Sequence, residues 1–221
     1  MTTLNSYHTI FLDYDGTLHD SLHVYAPAFR KAYRLLVENH GAEDRTWSDE
    51  EIKPFMGQTP SEMWRNFGRH IGEDAKDKAS QLISKHMKEA IENGEAKLYD
   101  GALMTLETLK ERGYTLIFIS NCMTYYMEAH AKQFGLEQYF DRMVCSETYP
   151  GIERKADVLK KVLTDFPGKA AMVGDRWHDM EAGEDNGLTT IGATYGFGKP
   201  HELDAADHTI AAVTDLLKLF P

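Results

Sequence analysis

Ile10-Phe11-Leu12-Asp13-Tyr14-Asp15-Gly16-Thr17-Leu18 decides how this chain is read. An apolar run delivers two carboxylates two positions apart, followed at once by glycine. Ile10-Phe11-Leu12 reads as a buried strand, and the strand period sets residues i and i+2 on one side. Carboxylates so placed repel one another, and a bound divalent cation relieves the repulsion. Asp15-Gly16 alone would suit an ordinary turn. The apolar run followed by D-x-D-G-T-L is far more restrictive than that pair.

Further apolar runs repeat the theme. His8 to Leu12, Thr115 to Ile119, Met143 to Cys145, Ala170 to Val173 and Thr190 to Ala193 read as strands. Ile117, Phe118 and Ile119 are continuous rather than alternating, which suits a parallel sheet covered on both faces. Helical patterns lie between them. Ala102 to Arg112 stops at Gly113, Tyr125 to Phe134 stops at Gly135, and Ala156 to Leu163 carries Val158, Leu159, Val162 and Leu163. Strand and helix in alternation predict an α/β fold with a doubly wound parallel sheet.

Residues 21–96 break the alternation, with no convincing strand. Leu22 to Asn39 is amphipathic and ends at Gly41, Ala75 to Ile91 is a further helix, and Thr59-Pro60-Ser61-Glu62 combines an N-cap, a proline at the first helical position and a capping box. The expected organisation is an α/β core from 1–20 and 97–221 with an inserted helical cap over 21–96. An insertion after the first strand would stand over the carboxyl end of that strand, where ligands bind in open α/β sheets.

The 221 residues suffice for a sizeable core, and the net charge of −11 disfavours nucleic acid as a partner. It does not disfavour small phosphorylated substrates, because local cations override the global field. No stretch approaches the ~20 apolar residues of a membrane span, and Met1 to Ser6 lacks the start of a secretory signal. Cys122 and Cys145 have neither disulfide-framework nor metal spacing, which suits reduced thiols and a cytoplasmic location.

The chemistry-bearing residues cluster where strands end. A carboxylate at Asp13 can attack phosphorus and form an aspartyl-phosphate. Asp15, two residues on, can protonate the leaving group and then activate water. Gly16 allows close backbone approach to a phosphate, and Thr17 either adds a hydroxyl or caps the turn. Ser120 and Asn121 follow a strand, so the Ser120 hydroxyl and the next amide would bind phosphate at a helix start, although both residue types are also common N-caps. Lys155 heads a helix, where a cation opposes the helix dipole, and it would neutralise phosphate charge. Arg154 competes for that role. Asp175 ends a strand and Asp179 lies four residues on, so a helix there would put both on one face. Asp13, Asp175 and Asp179 would then form an oxygen cage suited to Mg²⁺. Trp177 and His178, between them, read as packing and surface residues.

This set resembles the haloacid dehalogenase-like superfamily, in its phosphatase branch, on Phe11 to Leu18, Ile119-Ser120-Asn121, Lys155, Val173-Gly174-Asp175-Arg176 and Asp179. The resemblance implies Asp13 as nucleophile, Asp15 as general acid/base, and Ser120 and Lys155 as stabilisers of phosphate and intermediate. It implies Mg²⁺ held by Asp13, the Asp15 backbone carbonyl and Asp175, with Asp179 supporting, and it makes the helical insertion similar to the type-1 cap. Tyr195-Gly196-Phe197-Gly198 looks like the phosphoglycolate phosphatase and 5′-nucleotidase group. Asp15 speaks against true haloacid dehalogenases, which lack that acid. The third motif reads Arg154-Lys155-Ala156 rather than the commoner Lys-Pro pairing.

The expected function is Mg²⁺-dependent hydrolysis of a small phosphorylated metabolite, such as phosphoglycolate, a nucleoside monophosphate or a sugar phosphate, by a monomer or homodimer. A phosphomutase of the β-phosphoglucomutase kind would use the same core. A phospho-accepting signalling module is the non-enzymatic alternative, and Asp15 argues against it. Around Phe55-Met56-Gly57-Gln58, the residues Gln58, Arg65 or Arg69 could read the leaving group, although a plain interhelical connection would look the same.

Overall fold

The computed structural model describes residues 3–56, 60–65, 71–145 and 147–221. The chain divides into two compact units, Met1–Asp20 with Lys97–Pro221, and Ser21–Ala96.

The first unit is built on six strands: β1 (Thr9–Leu12), β2 (Thr115–Ile119), β3 (Arg142–Val144), β4 (Ala170–Gly174), β5 (Thr189–Ala193) and β6 (His208–Ile210). All pair in parallel, in the order β3-β2-β1-β4-β5-β6. β1 lies between β2 and β4, so the direction of winding reverses between β1 and β4. The carboxyl ends of those two strands border the crevice where open α/β sheets hold ligands.

The second unit is helical: α1 (Leu22–His40), α2 (Asp49–Ile52), α3 (Pro60–Arg65) and α4 (Glu73–Glu92). The buried stripe of α1 (Phe29, Ala32, Tyr33 and Leu36 among others) packs with Ala75, Ala79 and Ile83 of α4 in a core of its own. Phe29 sits among the rings of Tyr25, Tyr33, Trp47, Phe55 and Trp64. The Trp64 indole donates to Ser80 Oγ at 2.8 Å, so the one polar atom of that buried ring is satisfied.

The remaining helices belong to the first unit: α5 (Ala102–Glu111), α6 (Thr124–Phe134), α7 (Lys155–Leu163), α8 (Trp177–Asp185) and the short α9 (Leu216–Leu219). Period-two alternation sends Phe11, Ile117, Ile119 and Met172 into one layer with Val158, Leu159 and Val162 of α7 and Ala182 of α8. Ile10, Leu12, Leu116 and Phe118, which alternate with them, are fully buried as well. Coverage on both faces explains why these strands carry unbroken apolar runs after their first residues. Residues 21–96 leave and re-enter this unit at neighbouring points, since the Asp20 amide donates to the Lys97 carbonyl at 2.9 Å. Among the described residues, no helix is long and apolar enough to cross a membrane.

Candidate active site

Leu12 of β1 pairs in register with Val173 of β4, and the Asp13 amide continues the ladder by donating to the Val173 carbonyl at 2.9 Å. Asp13 and Asp175 therefore leave neighbouring strands side by side. Their oxygens and one from Asp179 all lie within 4.8 Å of one another, and all three residues are buried. Asp175 and Asp179 do not share a helical face, contrary to the spacing argument. Asp175 lies on the strand exit before α8 begins, and Asp179 sits in the first turn of α8, where its Oδ2 accepts the Arg176 amide at 3.0 Å. A strand end and a helix start converge instead.

Lys155 opens α7, and its Nζ donates to Asp13 Oδ1 at 2.7 Å and to Asp179 Oδ1 at 2.6 Å. Its side chain is 2% exposed. Arg154 faces outward and pairs with Asp185 at 2.7 Å and Glu181 at 3.2 Å. Of the two adjacent cations, Lys155 is the one whose side chain reaches the acidic cluster. Arg154 is extended and Lys155 is the first helical residue.

Three buried carboxylates face one buried ammonium. Burial, then the charges of Asp179 and Asp175, push the Asp13 carboxyl well above the usual range, against the pull of Lys155. Burial and Asp179 also raise Asp175. Burial opposes the Lys155 charge, yet Asp13 and Asp179 outweigh it and hold the ammonium above the ordinary lysine range. Asp175 Oδ1 is buried without a hydrogen-bond partner among the described residues. Hard oxygen donors, an orphaned carboxylate oxygen and an excess of negative charge together fit a small divalent cation.

Two glycines let the backbone close around Asp175. Gly16 has φ +80°, and a Cβ there would lie 2.2 Å from Asp175 Oδ2. A Cβ on Gly196 would lie 2.3 Å from the Asp175 Cβ and 2.5 Å from the Gly16 carbonyl oxygen. The next residue, Phe197, donates its amide to Asp175 Oδ2 at 2.6 Å. Tyr195-Gly196-Phe197-Gly198 thus forms one wall of the acidic cluster. The Thr17 hydroxyl, also buried, has no hydrogen-bond partner among the described residues.

The Asp15 carboxylate is not part of the cluster. Its Oδ1 accepts from Tyr126 OH and lies near His19 Nδ1, each at 2.8 Å. Burial favours the neutral acid, but the hydrogen bonds from His19 and Tyr126 hold Asp15 below the usual carboxylate range.

Ser120 follows β2 at the same carboxyl edge of the sheet, buried, while Asn121 is exposed. They are not at a helix start. α6 begins at Thr124 with Met123 as its cap, and the Ser120 hydroxyl accepts the Cys122 amide at 3.3 Å in the intervening turn. The pair is a strand-exit turn because Ser120 bonds locally rather than capping. In the helical unit Arg65 ends α3, exposed, while Gln58 and Arg69 lie outside the described residues. Among the described residues, Cys122 and Cys145 form no disulfide.

The haloacid dehalogenase-like hydrolase family model matches residues 10–193. The chain belongs to that family. It is 26% identical over 217 residues to a phosphoglycolate phosphatase of Mannheimia succiniciproducens, covering 95% of this chain and 96% of the relative. It is 25% identical over 220 residues to the pyrophosphatase PpaX of Listeria monocytogenes, covering 96% and 95%. The fold superposes on a haloacid dehalogenase-like family hydrolase of Streptococcus pneumoniae with a TM-score of 0.79 and 25% identity, over 97% of this chain and 99% of the other. Asp13, Asp15, Ser120, Asn121, Lys155, Asp175 and Asp179 all fall within the family match. The Tyr195–Gly198 wall lies just beyond it.

The sequence reading passed over Tyr14, His19, Tyr126 and His130, which pack together behind Asp15. Their signal was there in part. Tyr126 and His130 are four apart on α6, so they share a face, and both are buried on it.

Proposed function

We propose that this protein is a phosphatase for small phosphorylated metabolites, working through an aspartyl-phosphate on Asp13. The observation that carries this reading is the convergence of Asp13, Asp175 and Asp179 around the Lys155 ammonium at the point where the winding of the sheet reverses.

In this reading an Asp13 oxygen forms a bond to phosphorus as the ester P–O bond breaks, and Asp15 gives a proton to the departing oxygen. Water then attacks the same phosphorus, Asp15 takes its proton, and Asp13 is released as carboxylate with inorganic phosphate. Lys155 fixes the Asp13 side chain and offsets charge that builds on the phosphoryl oxygens, with the Ser120 hydroxyl and the Asn121 amide as further phosphate donors. Mg²⁺ would be held by Asp13, Asp175 and the Asp15 backbone carbonyl, with Asp179 in support, and would supply the positive charge that lets an anionic nucleophile meet an anionic phosphate. The 21–96 unit serves as a cap selecting small substrates.

The substrate class spans phosphate esters and pyrophosphate, since named relatives carry out both kinds of hydrolysis. Phosphate release from phosphoglycolate, a nucleoside monophosphate, a hexose phosphate and pyrophosphate, each with Mg²⁺ and with excess chelator, tests the reading. Release from at least one compound, abolished by chelator, is expected. Full activity in chelator, or isomerised product in place of free phosphate, would overturn it.

A further inference from the structure

Four polar aromatic residues are buried where apolar side chains would pack more cheaply. Tyr14, His19 and His130 are fully buried, and Tyr126 nearly so. Burying such groups is costly unless they are hydrogen-bonded. Here two of them, His19 and Tyr126, bond one carboxylate oxygen, and the other two, Tyr14 and His130, bond each other.

The local fold explains the arrangement. The Tyr14 carbonyl accepts the amides of Thr17, Leu18 and His19 at 3.2, 2.8 and 2.9 Å, closing a tight loop that returns His19 to Asp15. The inner face of α6 brings Tyr126 to the same place. His19 Nδ1 and Tyr126 OH each lie 2.8 Å from Asp15 Oδ1 and 3.1 Å from each other. Behind them, Tyr14 OH meets His130 Nδ1 at 2.5 Å, with Tyr14 stacked on His19 at 5.2 Å and His130 against Tyr126 at 4.3 Å between ring centres. The Asp15 side chain nonetheless remains 34% exposed.

We propose that His19 and Tyr126 are positioning residues for Asp15, fixing its Oδ1 with two hydrogen bonds so that Oδ2 is the oxygen that exchanges a proton with the leaving group and with water. Tyr14 and His130 hold the two donors from behind. This rests on the acid/base role given to Asp15 above. For His19 to donate, its proton sits on Nδ1, which leaves Nε2 as a lone pair, and His19 Nε2 is buried without a partner among the described residues. An oxygen that already accepts two hydrogen bonds is the poorer site for a third proton, so the proton is directed to Oδ2.

The test compares Asp15→Asn, Tyr126→Phe, His19→Leu and His19→Asn, the last keeping a donor near the Nδ1 position, on para-nitrophenyl, phenyl and alkyl phosphates with Mg²⁺. Asp15→Asn should lose on the order of 100-fold or more on alkyl phosphates and far less on the nitrophenyl ester, whose leaving group needs no proton. Tyr126→Phe and His19→Leu should show the same bias, at about 10-fold on alkyl phosphates, with His19→Asn closer to the parent. Equal losses on every ester in those variants, or no loss, would overturn the positioning role. An unbiased Asp15→Asn would instead overturn the acid/base assignment. Imidazole ¹⁵N spectra give a readout independent of turnover. His19 should be the Nδ1–H tautomer in the parent, and finding the Nε2–H tautomer would overturn the proposal.

Discussion

Replacing Lys155 by methionine removes a charge that joins Asp13 to Asp179 while keeping an unbranched side chain of similar length. The parent ammonium is 2% exposed and makes hydrogen bonds of 2.7 and 2.6 Å to two buried carboxylates. Deleting one partner of a buried ion pair costs about 3–5 kcal/mol, because the other charge is left uncompensated. With two carboxylates stranded, the upper half of that range applies. At a urea slope of about 2–3 kcal/mol/M, the midpoint for the α/β unit should fall by roughly 1.3–2.5 M in chelator, with the slope unchanged. Arg154→Met is the control. That residue is adjacent and equally cationic but half exposed, pairing with surface acids, and exposed pairs contribute little. Urea titration followed by circular dichroism reads both. A Lys155→Met protein as stable as its parent, or an Arg154→Met protein equally weakened, would refute the buried-charge argument.

Gly196→Ala should lower kcat/KM on the order of 100-fold with the fold retained, because its Cβ would lie 2.3 Å from that of Asp175 and displace a reacting-site side chain. Steady-state kinetics beside a far-ultraviolet spectrum checks this. Mg²⁺ at 100 times its Kd should raise stability by about 2.7 kcal/mol, and Asp175→Asn should abolish most of that gain in a thermal melt. Burial holds the His130 imidazole down at about 3. Its unfolded counterpart takes up a proton near 6.5, so this contribution to stability is complete above that pH and is lost as pH falls toward 3. The slope is at most about 1.4 kcal/mol per pH unit. His130→Gln should flatten the fall of stability between pH 6.5 and 5, and an unchanged slope would contradict the buried neutral imidazole.

Much of the fold was legible because parallel strands covered on both faces write themselves as unbroken apolar runs. β2 was read at its observed limits, and β1, β3, β4 and β5 to within a residue at each end. β6 escaped notice. It is three residues at the sheet edge, with His208 part-exposed and Thr209 exposed, and so carries no apolar signature. Residues such as Asp13 and Asp175 were legible as acids at strand ends, since Asp13 follows an apolar run directly and Asp175 follows one after Gly174. The route by which Asp179 joins them was not, because spacing along the chain cannot tell a helix face from a strand-to-helix corner. The same blindness misplaced Ser120-Asn121 at a helix start, when local bonding of the Ser120 hydroxyl delays α6 to Thr124. Tyr14 and His130 are 116 positions apart in sequence, and only the pairing of β1 with β2 makes them neighbours.

The most direct test of the account is to quench the enzyme during turnover with borohydride, which reduces an acyl-phosphate to the alcohol, and to map the product by mass spectrometry. The account predicts homoserine at position 13, with none in Asp13→Asn. Reduction at another carboxylate, or undiminished turnover in Asp13→Asn, would contradict it.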